Sequence, residues 1–143
     1  MIGKVDIQLG LITHRETTLK ANVARIAKEF LTPIQLYNKM SHDAMKLNEV
    51  EFKVPYKYSL MAQQDKDIVL STLKKPENSE GIILRLYNPA DNQKISFIKF
   101  NEQLKKIYKT KLNERKIEII KKDSNEFELK FNKNQSQTVL ALR

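Results

Sequence analysis

The 143-residue sequence predicts a mainly β protein, an antiparallel β-sandwich with one N-terminal α-helix. Three observations carry that expectation. From about residue 56 onward, apolar and polar residues alternate in short runs, separated by turn-forming clusters at roughly the 8–12-residue spacing of antiparallel sandwiches and barrels. No helical pattern lies between those runs, so the crossovers that a parallel sheet needs are missing. One stretch near the N-terminus carries instead the 3.6-residue period of an amphipathic helix.

The elements follow in chain order. In "KVDIQLGLIT", residues 4–13, Val5, Ile7, Leu9 and Leu11 recur at period two, the pattern of a half-buried strand. "TTLKANVARIAKEF" then sets Leu19, Val23, Ile26, Ala27 and Phe30 on one helical face, predicting a helix over about residues 17–31. Thr17 or Thr18 is its expected N-cap, and Pro33 stops it because the residue before a proline avoids helical geometry. Residues 34–55 read as a connector and a candidate boundary, polar in the middle, with short apolar runs at "IQLYN" and "VEFKV".

Strand signals then follow one another. "DIVLSTLKK" leads through the turn "PENSEG" to "GIILRLYN", and the turn "PADNQ" leads to "KISFIKF". After "NEQLKKIYKTKLNE" come "RKIEIIK", a turn at "KDSN", "EFELKFN", a turn at "KNQSQ" and "TVLALR". Phe127, Leu129 and Phe131 alternate with Glu126, Glu128 and Lys130, one face for the core and one for water. In "GIILRLYNPADNQ", alternation sends Ile82, Leu84 and Leu86 one way and Ile83, Arg85 and Tyr87 the other. That second face is too apolar for plain solvent, so Arg85 is expected to lie along Tyr87 or to pair with a carboxylate. Asn88 is expected to bond the backbone two residues on.

Composition narrows the function. The hydrophobic fraction of 41% and the six Phe and five Tyr support a packed core. The absence of cysteine excludes disulfides and thiolate metal sites and fits a cytoplasmic protein. No signal peptide is recognisable, and no window approaches the roughly 20 apolar residues of a membrane helix, so no membrane partner is expected. A net charge of +9 raises nucleic acid as a partner. Ten Lys/Arg stand against five Asp/Glu between residues 105 and 133, and the RNA-binding and zinc-finger motifs are missing, so a solvated lysine-rich face is the favoured reading.

The search for chemistry identifies no catalytic, cofactor-binding or metal-ligating residue. The two histidines, His14 and His42, have no second ligand in view. His14 is assigned to capping or packing and His42 to a solvent-facing loop. Glu118, Glu126, Glu128 and Asp91 occupy strand-alternating or turn positions, where surface ion pairs are the usual outcome. There is no nucleophile elbow, P-loop or dinucleotide fingerprint. Tyr56, Tyr58 and Tyr87 are read as buried rings with exposed hydroxyls, against a second reading in which they stack on sugars.

"VLSTLKK" followed by "GIILRLYNP", residues 69–75 and 81–89, resembles the C-terminal β-sandwich region of glycoside hydrolase family 38 α-mannosidases, especially the bacterial mannosylglycerate hydrolase type. His14, Ala27, Phe30 and Pro33 are similar to that family's strand–helix segment, although Thr13 stands where a proline commonly precedes the histidine. "NEFELKFNKNQSQTVLALR" resembles its final strand pair.

The resemblance implies that residues 1–48 are the tail of a preceding central β-domain with one helix and a connector, and residues 49–143 the terminal sandwich. It implies a non-catalytic structural or accessory domain of a zinc-dependent retaining α-mannosidase, which supports the catalytic domain and contributes to subunit contacts in a homo-oligomer. The zinc and the nucleophile would lie upstream in the parent enzyme, so this chain is expected to hold no cofactor, to be an excised piece, and to act on no mannoside by itself. A carbohydrate-binding module is the alternative, and a basic nucleic-acid binder the less favoured one.

Overall fold

The computed structural model describes residues 7–35 and 55–143. Its elements are α1 (Val23–Leu31), β1 (Met61–Gln63), β2 (Val69–Lys74), β3 (Ile82–Tyr87), β4 (Lys94–Thr110), β5 (Lys116–Phe131) and β6 (Ser136–Leu142). The strands form one antiparallel sheet in the order β1-β4-β6-β3-β2, with β5 on β4. This is the expected mainly β, antiparallel class, with a single short helix among the described residues.

The long strand β4 makes the sheet fold over. One edge of β4 carries β5 along most of its length; the other carries β1 at Ile98–Phe100 and β6 at Lys106–Thr110. The pairing with β5 is irregular between Lys99 and Leu104, and such irregularities bend and twist a ribbon. The two halves of β4 therefore serve two layers. Leu84, Leu86, Val139 and Ala141 from one layer share a single buried cluster with Ile98, Phe100, Phe127, Leu129 and Phe131 from the other. The Phe100 and Phe127 rings stack at 6.4 Å between centroids.

The alternation read in the sequence places these residues. Phe127, Leu129 and Phe131 are all buried, while Glu126, Glu128 and Lys130 are exposed. The turn after β3 forms as the sequence predicts. Asn88 is fully buried; its Oδ1 accepts from the Ala90 amide at 3.0 Å, and its Nδ2 donates to the Asn92 and Asn132 carbonyls at 2.9 Å each. Gly81 closes the "PENSEG" turn at φ +116°, and a Cβ there would come within 2.3 Å of the Ala141 carbonyl oxygen. Only glycine fits that approach.

Three elements differ from the expectation. Residues 7–13 form no strand: Ile7, Leu9 and Leu11 are 77%, 90% and 94% exposed. A period-two row needs a neighbouring strand to become a sheet face, and no described strand pairs with it; residues 4–6 lie outside the described residues, as do "VEFKV" and most of "IQLYN".

The helix is shorter than predicted. Thr17–Asn22 form turns, Asn22 sits at the N-cap in left-handed geometry (φ 52°) without a side-chain cap, and α1 begins at Val23. The Thr17 hydroxyl reaches only the Lys20 amide, at 3.5 Å. The helix ends at Leu31, short of Pro33 as predicted, and none of its residues is buried.

"KDSN" is not a turn, because β5 runs straight through it with Asp123 at φ 47°. Turn-type residues serve an irregularity inside a strand here, rather than a reversal. The reversal falls instead at Lys111–Arg115, where the Lys111 amide donates to the Arg115 carbonyl at 2.9 Å and Glu114 takes φ 64°.

Candidate functional site

The outer face of the β5-β4-β6-β3-β2 layer carries the main polar constellation. Register places Thr110, Thr138, Arg85 and Thr72 in one row across β4, β6, β3 and β2, with Tyr108, Leu140, Ile83 and Lys74 in the row beside it. Ile83 and Leu140 are buried on this face, at 0% and 1% exposure. That agrees with the sequence argument that it is not a plain solvent face.

The β4–β5 tip reaches across these rows. Arg85 donates from Nε to the Thr138 hydroxyl at 3.1 Å and from Nη2 to the Leu112 carbonyl at 3.3 Å. Glu114 accepts on Oε1 from the Lys74 ammonium at 2.7 Å and on Oε2 from the Glu77 amide at 2.9 Å. Lys74 also donates to Glu77 at 3.2 Å. Of the two placements the sequence offers, along Tyr87 or against a carboxylate, the second is not formed: Arg85 pairs with a hydroxyl and a carbonyl, because the tip brings the Leu112 carbonyl within reach.

The electrostatics are those of a clamp. The Lys74 hydrogen bond, with the Glu77 amide and the field of Lys74 and Arg85, holds the Glu114 carboxyl below its ordinary value. The Glu114 and Glu77 hydrogen bonds raise Lys74. A general acid needs a carboxyl pushed up toward neutrality and in reach of substrate; Glu114 is pushed the other way, and both its oxygens are occupied. The Thr110 hydroxyl nearby is buried without a hydrogen-bond partner among the described residues.

A second feature is an open groove of about 460 Å³ between the turn at Thr17–Leu19 and the segments Lys66–Asp67 and Pro89–Asn92. An ion pair of 2.6 Å between Lys94 and Asp67 lies along it. That hydrogen bond raises the Lys94 ammonium above its ordinary value. Among the described residues, neither this groove nor two others is lined by an aromatic ring, so no sugar-stacking platform is formed there.

The residues weighed in the sequence lie apart. His14 is exposed and donates from Nδ1 to the Glu16 carbonyl at 2.6 Å, a local turn contact; His42 lies outside the described residues. Tyr56 is 98% exposed rather than ring-buried, Tyr58 is 57% exposed with its hydroxyl 3.4 Å from Glu102, and Tyr87 is half-buried at the end of β3. Glu118 pairs with Lys109 at 3.4 Å and Glu128 with Lys130 at 3.8 Å. Glu126 faces Lys99 across the ribbon, and Asp91 lines the groove. No group of three or more His, Cys, Asp or Glu among the described residues could hold a metal ion, and no described helix is long and apolar enough to cross a membrane. Sequence reasoning missed Lys74, Glu114 and Thr138, which come from segments far apart in the chain and carry no local signal.

Compared with known proteins, the chain matches the family model described as "Glycosyl hydrolases family 38 C-terminal beta sandwich domain" over residues 67–139, just over half of its length. The span runs from the residue before Ile68 through β2, β3, β4 and β5 into β6; the His14–Pro33 segment lies outside it. No curated protein and no solved structure matches. With its curled antiparallel sheet and its two facing layers, the chain belongs to the glycosyl hydrolase family 38 C-terminal β-sandwich domains.

Proposed function

We propose that this domain is a non-catalytic accessory element of a zinc-dependent retaining α-mannosidase, of the bacterial mannosylglycerate hydrolase type, supporting the catalytic domain and contributing to subunit contacts. The family match over residues 67–139 carries the reading. The engaged state of the polar residues on the outer face supports it: Arg85, Lys74 and Glu114 are committed to holding the β4–β5 tip and leave no free acid–base pair on that face.

Zinc does not fit the described residues, which offer no ligand set. Residues 1–48 are assigned to the tail of the preceding domain. The exposed apolar face of Leu19, Ile26 and Phe30 suits a segment that packs against something beyond this sheet.

Sequencing the reading frame around the coding region of this chain tests the proposal. A family 38 catalytic domain in the same frame is the expected result; a frame with no such domain removes the reading. The carbohydrate-binding alternative predicts amide shifts on titration with mannose oligosaccharides followed by NMR, and shifts confined to one face at millimolar sugar would replace the accessory role with a binding role.

A further inference from the structure

The far end of the β4–β5 ribbon concentrates charge. Residues 104–122 hold eight basic side chains (Lys105, Lys106, Lys109, Lys111, Arg115, Lys116, Lys121 and Lys122) and two acidic ones (Glu114 and Glu118), a net +6 of the chain's +9. Lys106 and Lys122 face each other directly in the register, and like charges in that position destabilise a strand pair. A fold does not gain from that arrangement by itself.

The same segment is an open edge. Among the described residues β5 pairs with β4 alone, so its other edge offers backbone N–H and C=O groups that no described strand takes up. At the sandwich end of β5 a side chain reaches that strand, where Gln137 donates from Nε2 to the Lys130 carbonyl. Farther along, Ile117 and Ile119 stand 54% and 44% exposed, flanked by Lys116, Lys121 and Lys122. An exposed strand edge with apolar side chains and a one-signed border is the geometry of strand addition.

We infer that the Lys116–Lys122 edge of β5 receives an acidic, extended peptide segment as an added β-strand. Charge selects this occupant over a second copy. Residues 115–122 carry four basic groups and one acidic group, net +3, so pairing two such edges brings +6 together. Nucleic acid supplies neither a backbone ladder nor contacts for Ile117 and Ile119. The one aromatic ring of residues 104–122, Tyr108, is already covered by the Lys116 ammonium at 4.6 Å from its centroid, which leaves no base-stacking surface. The inference rests on this edge alone and stands whichever protein contributes the peptide.

The test is an NMR and hydrogen-exchange titration of the whole chain with a short capped peptide of alternating Glu and Val. A Lys/Val peptide of the same length and a single-stranded oligonucleotide serve as the other arms. The Glu/Val peptide is expected to shift the 116–122 amides and slow their exchange by roughly tenfold or more, with binding that weakens as salt is added. The double variant Lys121→Glu with Lys122→Glu, which also relieves the opposition to Lys106, should reverse the preference toward the Lys/Val peptide. No shift at millimolar Glu/Val peptide, shifts mapping outside β5, equal binding of both peptides, tighter oligonucleotide binding, or concentration-dependent dimerisation through this edge would each overturn the inference.

Discussion

At its sandwich end the β4–β5 ribbon pairs Lys94 with Phe131, Ser96 with Leu129 and Ile98 with Phe127, and its inner row is buried against β3 and β6. At its far end the same two strands pair Lys106 with Lys122 and Lys109 with Glu118, and β5 is exposed or half-exposed throughout residues 116–122. Both ends are antiparallel ribbon, in unbroken register at the near end and with register shifts between Ile107 and Tyr108 and between Lys109 and Thr110 at the far end. What differs is what faces β5. At the near end its Phe127, Leu129 and Phe131 are folded onto the other layer of the sheet. At the far end β4 still buries Leu104 and Ile107 in the core, but β5 contributes only the half-buried Ile120, and the tip is pinned by Glu114 and Arg85. Strand pairing therefore follows from backbone continuity, while burial, and with it the stability contributed, depends on whether a second layer lies opposite.

That contrast ranks the consequences of mutation. Phe100→Ala removes a ring that is 1% exposed and stacked on Phe127; it should cost about 3–5 kcal/mol in urea unfolding, the range for large-to-small core changes. Asn88→Ala strips the partner from one amide and two carbonyls at the base of the near end. Buried groups left unpaired make this cost about 2–3 kcal/mol, with no gain from the smaller side chain.

At the far end the effects are local. Glu114→Gln should leave the near-end amides protected while exchange quickens at residues 111–116 and at Lys74, Lys75 and Glu77, because the tip loses its charged tie to Lys74. Equal loss of protection at both ends would erase the distinction between them. The pH dependence has a definite sign. The folded state lowers the Glu114 carboxyl from its ordinary 4.5, so its contribution is present above that pH and is lost as pH falls through the folded value. It raises Lys74 from 10.5, so that contribution is present below 10.5 and disappears as pH rises through the folded value. The tie is complete between those limits, and the protection of the tip amides, taken relative to unstructured amides at the same pH, should fall only outside them. The smallest effect is predicted for Ile119→Thr, within about 0.5 kcal/mol of wild type by thermal or urea unfolding, since its side chain is 44% exposed at an edge.

The sequence was legible where local chemistry alone decides structure. Alternation placed Ile82, Leu84 and Leu86 opposite Ile83, Arg85 and Tyr87, and the Asn-Pro pair announced the turn that Asn88 closes on the Ala90 amide. It was illegible where a partner decides. Ile7, Leu9 and Leu11 have the pattern of a strand face and no described strand beside them. The helix face of Ile26 and Phe30, with Leu19 in the turn before it, is apolar and unburied for the same reason. Asp123 and Asn125 mark a turn by residue type, yet the ribbon continues through them because both flanking segments pair with β4.

The reversal at Lys111–Arg115 contains no glycine or proline to announce it. Of the polar site, only Arg85 was singled out beforehand. Its partners Thr138 and Leu112, and the pair Lys74–Glu114, are brought together only by the sheet order.

Hydrolysis of an aryl α-mannoside by the purified chain, with zinc supplied, tests most directly whether this domain is non-catalytic. Release of the aryl alcohol should match the buffer blank at every pH between the limits set by Glu114 and Lys74. Turnover that survives repurification and disappears on substitution of a residue within this chain would contradict the accessory role.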